Sequence, residues 1–78
     1  MATILPVKDA FPFIGEHTFI APNCTLVGDV TIGDHCSIWF NAVVRGDVNY
    51  IKIGNYSNVQ DNVTIHGTYE KNGTDIGN

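Results

Sequence analysis

Five polar residues in the second half of the chain carry groups from which a chemical site could be built: Arg45, Asp47, Asn58, Gln60 and His66. Imidazole is a common zinc ligand, but a zinc site needs three or four ligands, so His66 alone also fits an ordinary surface histidine. Arg45 and Asp47 stand two residues apart and suit a surface ion pair, worth about 0 to 1 kcal/mol. Asn58 and Gln60 are residue types that also occur at polar corners. The residue types by themselves therefore leave both a metal site and a plain polar surface open.

Length, charge and composition restrict the class of protein that carries these residues. With 78 residues the chain can form one domain, whose core would normally be only marginally stable. Eight acidic residues against four basic ones give a net charge of −4, opposite in sign to that of a typical nucleic-acid-binding protein. Residues 1–13 lack the features of a signal peptide, and no apolar run reaches the ~18 residues of a membrane span. We therefore expect a cytoplasmic protein without nucleic-acid or membrane partners.

A period of six residues runs through most of the chain and predicts its fold. Stepping by six from Ile14, and again from Ile53 after a three-residue offset, meets an aliphatic residue every time. The nine positions are Ile14, Ile20, Leu26, Ile32, Ile38, Val44, Ile53, Val59 and Ile65. Chance would produce such a series in roughly a few cases per million. The pattern resembles the hexapeptide repeat of left-handed parallel β-helix proteins, in which three hexads form a triangular coil and equivalent positions of successive coils stack.

We therefore predict an all-β fold, a left-handed parallel β-helix of about three coils that is truncated at its C-terminal end. The expected segments are a lead-in or cap at 1–13, coils at 14–31, 32–49 and 53–70, and the start of a fourth coil at 76–78. The three-residue offset is attributed to a small loop at 50–52 that is pushed out of the wall. The alternative is an antiparallel sandwich with strands about every 8 to 12 residues, which does not explain a strict period of six.

Residues that depart from the repeat are the candidates for function. Gly or Ala often follows the inward aliphatic residue, but Trp39, Arg45, Gln60 and His66 take that place in the second and third coils. Strand alternation points these side chains outward. Stacking by coil then puts Arg45 beside His66 and Trp39 beside Gln60. We expect this group to be exposed, or to be covered by another subunit.

Histidines and cysteines elsewhere in the repeat are expected to have no chemical role. His17 and His35 occupy equivalent outward places one coil apart and are predicted to face solvent. Cys24 and Cys36 are predicted to be buried free thiols that behave as small apolar residues. A disulfide between them is not expected, because the cytosol keeps thiols reduced and the two cysteines fall on different faces of the coil.

Two strings carry a more specific resemblance than the repeat does. They are Asn-Ala-Val-Val-Arg-Gly-Asp at 41–47 and Ser-Asn-Val-Gln-Asp-Asn-Val-Thr-Ile-His at 57–66. These strings resemble the signature of the γ-class carbonic anhydrases and their close hexapeptide-repeat relatives, and the likeness runs over essentially the whole chain. The resemblance implies a homotrimer that catalyses the zinc-dependent, reversible hydration of carbon dioxide to bicarbonate.

The resemblance also implies a role for each of the five polar residues. His66 corresponds to the first of three histidines that bind zinc, or another divalent metal such as iron or cobalt, between neighbouring subunits. Gln60 corresponds to a catalytic amide beside the zinc-bound water, and Asn58 to a residue of the substrate pocket. Arg45 and Asp47 correspond to residues of the subunit interface. Zinc held in this way lowers the pKa of water to about 7 and so supplies hydroxide at neutral pH.

The family's other two zinc ligands form a His-x4-His pattern in the next coil, and this pattern is absent from residues 1–78. The resemblance therefore implies that the chain as given is incomplete and inactive, and that it holds no metal by itself. Two alternatives share the fold: a hexapeptide-repeat acyltransferase that uses acyl-CoA, and a non-catalytic trimeric scaffold or assembly subunit. Arg45 with Asp47 and Gln60 with Asp61 favour the carbonic anhydrase group, whereas the missing ligands favour the scaffold.

Overall fold

The computed structural model describes residues 2–66 and 74–76, and the regular elements in this part of the chain are strands. In chain order they are β1 (Thr3–Leu5), β2 (Phe13–Ile14), β3 (Phe19–Ile20), β4 (Thr25–Ile32), β5 (Ser37–Ile38), β6 (Val43–Ile53), β7 (Asn58–Val59), β8 (Thr64–His66) and β9 (Thr74–Ile76). Each pairing between these strands is parallel, which excludes the antiparallel sandwich. Within the same residues there is no helix with the length and apolar character needed to cross a membrane.

The strands form the three walls of a left-handed β-helix. The second wall is the sheet β3-β5-β7. The other sheet, β1-β4-β6-β8 with β2 on β4 and β9 on β6, covers two walls because β4 and β6 continue around a corner. The part of this sheet that contains β2, β9 and the last residues of β4 and β6 is called the first wall. The part that contains β1, β8 and the first residues of β4 and β6 is called the third wall. The predicted all-β, β-helical fold is therefore confirmed.

The strand register aligns the aliphatic positions as the period of six predicts. The observed ladders are Ile14–Ile32–Ile53 on the first wall, Ile20–Ile38–Val59 on the second and Leu26–Val44–Ile65 on the third. β1 extends the third ladder by pairing Ile4 with Leu26, and β9 extends the first by pairing Ile53 with Ile76. Ladder residues of the middle coil are fully shielded from solvent, so the core is a continuous aliphatic column. Residues 67–70 of the predicted third coil and 77–78 of the predicted fourth lie outside the described residues.

The three-residue offset lies earlier in the chain than the sequence suggests. β6 pairs Gly46 with Gly28 and Ile51 with Val30, so residues 47–50 stand opposite Asp29 alone. Ile51 is 1% exposed and fills an inward position, and the prediction of an extruded loop at 50–52 is therefore wrong. The physical reason is burial of the Ile51 side chain, which stabilises the fold by about 1.5 to 3 kcal/mol. The extra residues therefore lie before Ile51.

Two glycines allow adjacent coils to approach at the corner where the extra residues enter. Gly28 has a φ of 77°, in the left-handed region that side chains disfavour. A Cβ added to Gly28 would lie 2.6 Å from the Gly46 carbonyl oxygen, and one added to Gly46 would collide with the Asp29 carbonyl oxygen. At this corner the backbones of adjacent coils therefore pack closely at Gly28 and Gly46, and the extra residues 47–50 follow directly after Gly46.

Hydroxyl and thiol side chains inside the corners donate hydrogen bonds to backbone carbonyls of the next coil. Thr18 Oγ1 donates to the Gly33 carbonyl at 2.7 Å, and Cys36 Sγ donates to the Gly54 carbonyl at 3.1 Å. Cys24 Sγ donates to the Trp39 carbonyl at 2.8 Å. Both cysteines are buried and free, as the sequence predicts.

Burial gives Cys24 a measurable effect on stability at alkaline pH. Removal of the thiol from solvent raises the pKa of Cys24, since the charged thiolate is disfavoured there. The native state then holds its proton at pH values where the unfolded chain has lost it, so the unfolding free energy is expected to fall as pH rises above 9. We expect urea titrations from pH 7 to 10 to show a shallower fall for Cys24→Ala than for the unchanged chain. Parallel pH profiles for the two proteins would contradict this effect.

Candidate functional site

Arg45 and His66 are direct neighbours on the third wall. β6 and β8 pair in parallel with Arg45 opposite His66, one coil apart. Because Val44 and Ile65 point into the core, alternation turns both Arg45 and His66 outward, and both are exposed. The predicted placement of the guanidinium beside the imidazole is therefore observed.

Asp47 joins this pair from the start of the extra segment. Its carboxylate oxygen Oδ2 lies 3.7 Å from Arg45 Nε, with the two side chains 35% and 46% exposed. This geometry is a loose ion pair that water still reaches, so its contribution to folding is small.

Replacing Asp47 with asparagine is expected to change the unfolding free energy of the isolated subunit by less than about 1 kcal/mol, because exposed ion pairs contribute little. Urea unfolding of Asp47→Asn, Arg45→Gln and the double variant measures the coupling between the two side chains. A coupling well above about 1 kcal/mol would show that the ion pair is a folding element and would contradict the expectation.

Asn58 and Gln60 lie on the second wall, across a corner from His66. Asn58 is paired with Ser37, and the Trp39 backbone N–H donates to the Val59 carbonyl at 2.8 Å, which sets Trp39 beside Gln60. Both amide side chains are exposed. The corner between β7 and β8 contains Asn62 with a φ of 64°. The five predicted site residues thus lie on two walls: Arg45, Asp47 and His66 are grouped, while Asn58 and Gln60 form a second group on the adjoining wall.

An aromatic surface adjoins the two amides. Trp39 contacts Phe19 with ring centroids 5.0 Å apart and Phe40 with centroids 6.3 Å apart. Phe19 and Phe40 are 45% and 43% exposed, and Trp39 is half-buried. Such a patch of large apolar side chains on a small chain is typical of a surface that contacts another molecule.

Two further features of the surface were not predicted from the sequence. His17, His35 and Tyr56 form a column of stacked rings, whereas both histidines were predicted only to face solvent. Their shared hexad position was a sequence signal for this column. A cavity of about 280 Å³ also opens between the turn at Val7–Ala10 and the extra segment. The polar groups of its lining come from Lys8, Asp29, Asp47 and Tyr50. The period of six does not predict that these residues lie together.

The residues that the structure describes do not complete a metal centre. Within 2–66 and 74–76 no three His, Cys, Asp or Glu side chains are grouped closely enough to hold a metal ion. His66 can offer one imidazole, so further ligands have to come from outside this set of residues.

Comparisons with known proteins agree with the repeat and with the two strings. The family model for the bacterial transferase hexapeptide (six repeats) matches residues 11–46. Gamma carbonic anhydrase 2, mitochondrial, of Arabidopsis thaliana is 44% identical over 64 residues, which is 82% of this chain and 23% of that protein. A carbonic anhydrase of Geobacillus kaustophilus is 51% identical over 63 residues, 81% of this chain and 35% of that protein.

A solved structure has the same fold. The crystal structure of a Bacillus cereus protein with a provisional acetyltransferase name superposes with a TM-score of 0.89 at 43% identity, covering 95% of this chain and 44% of that one. The chain thus spans less than half the length of each of these three similar proteins. The hexad repeat, the parallel ladders and these similarities lead to one conclusion: the chain belongs to the γ-class carbonic anhydrase-like family of hexapeptide-repeat proteins.

Proposed function

We propose that this chain is part of a metal-dependent carbonic anhydrase that interconverts carbon dioxide and bicarbonate. The observation that carries the proposal is the parallel register of Arg45 with His66, with Asp47 beside the guanidinium. This arrangement sets an imidazole that can bind a metal next to a cation that can attract an anionic product. The similarity to proteins named as carbonic anhydrases, at 44% and 51% identity, supports the same reading.

His66 would supply one metal ligand, and the remaining ligands would come from outside the described residues. We propose zinc as the metal, with iron or cobalt as the other candidates, because imidazole suits all three. Zinc in such a site makes hydroxide available at neutral pH by lowering the pKa of water to about 7.

The chain's own polar side chains would bind and orient the substrate. The Arg45 guanidinium can pair with the bicarbonate anion. Asn58 and Gln60 offer neutral amides that can both donate and accept hydrogen bonds, so they can hold bicarbonate oxygens without adding charge.

We further propose that the active species is a cytoplasmic homotrimer. Arg45, Asp47 and the Trp39 side chain lie on two adjoining walls and remain wholly or partly exposed in the single chain. A neighbouring subunit packed along this corner would cover the aromatic patch and could bring further ligands to His66. Covering such apolar side chains is favourable by roughly 25 cal/mol per Å².

The test is carbon dioxide hydration by the protein purified from its own source, with intact mass and metal content measured on the same sample. Stopped-flow assays with a pH indicator are run after chelator treatment and after zinc is added back. We expect activity to disappear with the metal and to return with zinc. A zinc-loaded trimer that hydrates carbon dioxide no faster than buffer would rule out the proposal.

Acyl transfer is the second candidate, because the Bacillus cereus structure with the provisional acetyltransferase name matches at 43% identity over 95% of this chain. The discriminating measurement is acetyl-CoA binding by calorimetry on the same sample. Micromolar binding combined with absent hydration would favour the transferase. Hydration without acetyl-CoA binding would favour the carbonic anhydrase.

A further inference from the structure

A column of three parallel rings lies at the corner between the first and second walls. His17 and His35 stack with centroids 5.1 Å apart and an interplanar angle of 11°, and Tyr56 continues the stack at 5.0 Å and 5°. The three side chains are exposed to solvent. This corner is a different one from that between Gln60 and His66, so the column is separate from the proposed carbonic anhydrase residues.

The backbone fixes the direction in which these rings project. His17, His35 and Tyr56 have nearly identical φ values of 56°, 57° and 62° in the left-handed region. The His35 N–H donates to the Glu16 carbonyl, and the Tyr56 N–H donates to the Asp34 carbonyl, both at 2.9 Å. The backbone positions of the two histidines are therefore fixed one coil apart before any ligand arrives, which lowers the entropic cost of binding.

Two further hydrogen bonds make the same corner rigid from coil to coil. Asp34 Oδ1 accepts the Glu16 N–H at 2.8 Å, and Asn55 Oδ1 accepts the Asp34 N–H at 2.8 Å. Glu16 and Asp34 directly precede the two histidines and are exposed. Together with the net charge of −4, they give this corner a local field that favours a cation.

Neighbouring imidazoles are suitable ligands for borderline divalent metals. Metal–nitrogen bonds are about 2.0 to 2.1 Å long, so the two donor nitrogens have to come within roughly 4 Å of each other. The stacked rings are parallel and 5.1 Å apart between centroids, so both imidazoles have to turn out of the stack, about the broad χ2 torsion of histidine, to aim their nitrogens at one metal. Imidazole is a better ligand than a phenol for these metals, which places the metal between the two histidines.

We propose that His17 and His35 together bind one borderline divalent cation of the Ni²⁺, Cu²⁺ or Zn²⁺ class, with water in the remaining coordination positions. Hard cations such as Mg²⁺, which prefer oxygen ligands, are excluded from this pair. The site does not depend on the proposed carbonic anhydrase function.

The test is calorimetric titration of the full chain with Ni²⁺ in a His66→Ala background, so that the other candidate ligand does not contribute. Asparagine is the replacement for each corner histidine because it tolerates positive φ. We expect one Ni²⁺ per chain, with at least about tenfold weaker binding in His17→Asn and in His35→Asn, since each change removes the benefit of a second, tethered ligand. Tyr56→Phe keeps the stack and is expected to keep the affinity.

A second measurement locates the metal. Substoichiometric Ni²⁺ is expected to broaden the ring resonances of His17 and His35 together in two-dimensional NMR spectra. The proposal is overturned if either asparagine variant binds as tightly as its parent, or if two independent sites are seen. Equal competition by Mg²⁺ would assign the binding to Glu16 and Asp34 and would overturn it as well.

Discussion

Replacing His66 with alanine is expected to remove the metal from the purified protein and to reduce carbon dioxide hydration to the level of chelator-treated enzyme. Loss of an outer-shell hydrogen-bond partner alone costs about 10- to 100-fold in metal affinity, so loss of a direct ligand should exceed 100-fold. The imidazole is exposed on β8 beside Arg45 and lies outside the buried core cluster. Zinc content by mass spectrometry and stopped-flow rates measure the two effects.

Thr64→Ala is the matched control for this variant. Thr64 stands two residues earlier on β8, is exposed and projects to the same side of the wall. Under the proposed function, we expect this variant to match the parent protein in zinc content, hydration rate and oligomeric state. Unchanged zinc content in His66→Ala would remove His66 from the metal site and, with it, the main support for the proposed function.

Replacing Ile38 with alanine is expected to lower the unfolding free energy by about 2 to 5 kcal/mol. Ile38 is fully buried, and it is stacked between Ile20 and Val59 in the second-wall ladder. The backbone of β5 is hydrogen-bonded to β3 on one side and to β7 on the other. The cavity left by the side chain therefore cannot readily close. A chain of this length has a total stability of only about 4 to 12 kcal/mol, so a large part of it would be lost.

Urea unfolding followed by circular dichroism measures this change. Ile38→Val removes one methylene and is expected to cost about 0.5 to 1.5 kcal/mol. Thr31→Ala, at an exposed position of β4, is expected to stay within about 0.5 kcal/mol of the parent. If Ile38→Ala cost no more than Thr31→Ala, the second-wall ladder would not be the core that its burial indicates.

The ladders were predictable because the repeat is local and periodic. Ile14, Ile32 and Ile53 begin successive coils. Because each coil contains three hexads, equivalent hexad positions of successive coils stack on one another. The neighbour relation of Arg45 and His66 followed from the same count, because an outward residue stays one place away from an inward aliphatic one. The free, buried state of Cys24 and Cys36 followed for the same reason.

The position of the extra residues was not predictable from the period. Counting shows that three residues are surplus between Val44 and Ile53, but Val48 and Ile51 are both β-branched and fit the inward place equally well. The structure chooses Ile51, opposite Val30, because the surplus then enters directly after Gly46, where two glycines let the backbones approach. The position of the extra residues thus depends on contacts between coils, and the period of six carries no information about these contacts.

By itself, the sequence determined the β-helix, its three aliphatic ladders and the outward placement of Arg45 and His66, since all of these depend on alternation and on an 18-residue turn. Only the tertiary structure decided that residues 47–50 leave the ladder and that the rings of His17, His35 and Tyr56 stack. These features depend on corner dihedrals and on packing between coils. Such contacts join residues distant in sequence, and their energies are compared only once the whole column has formed.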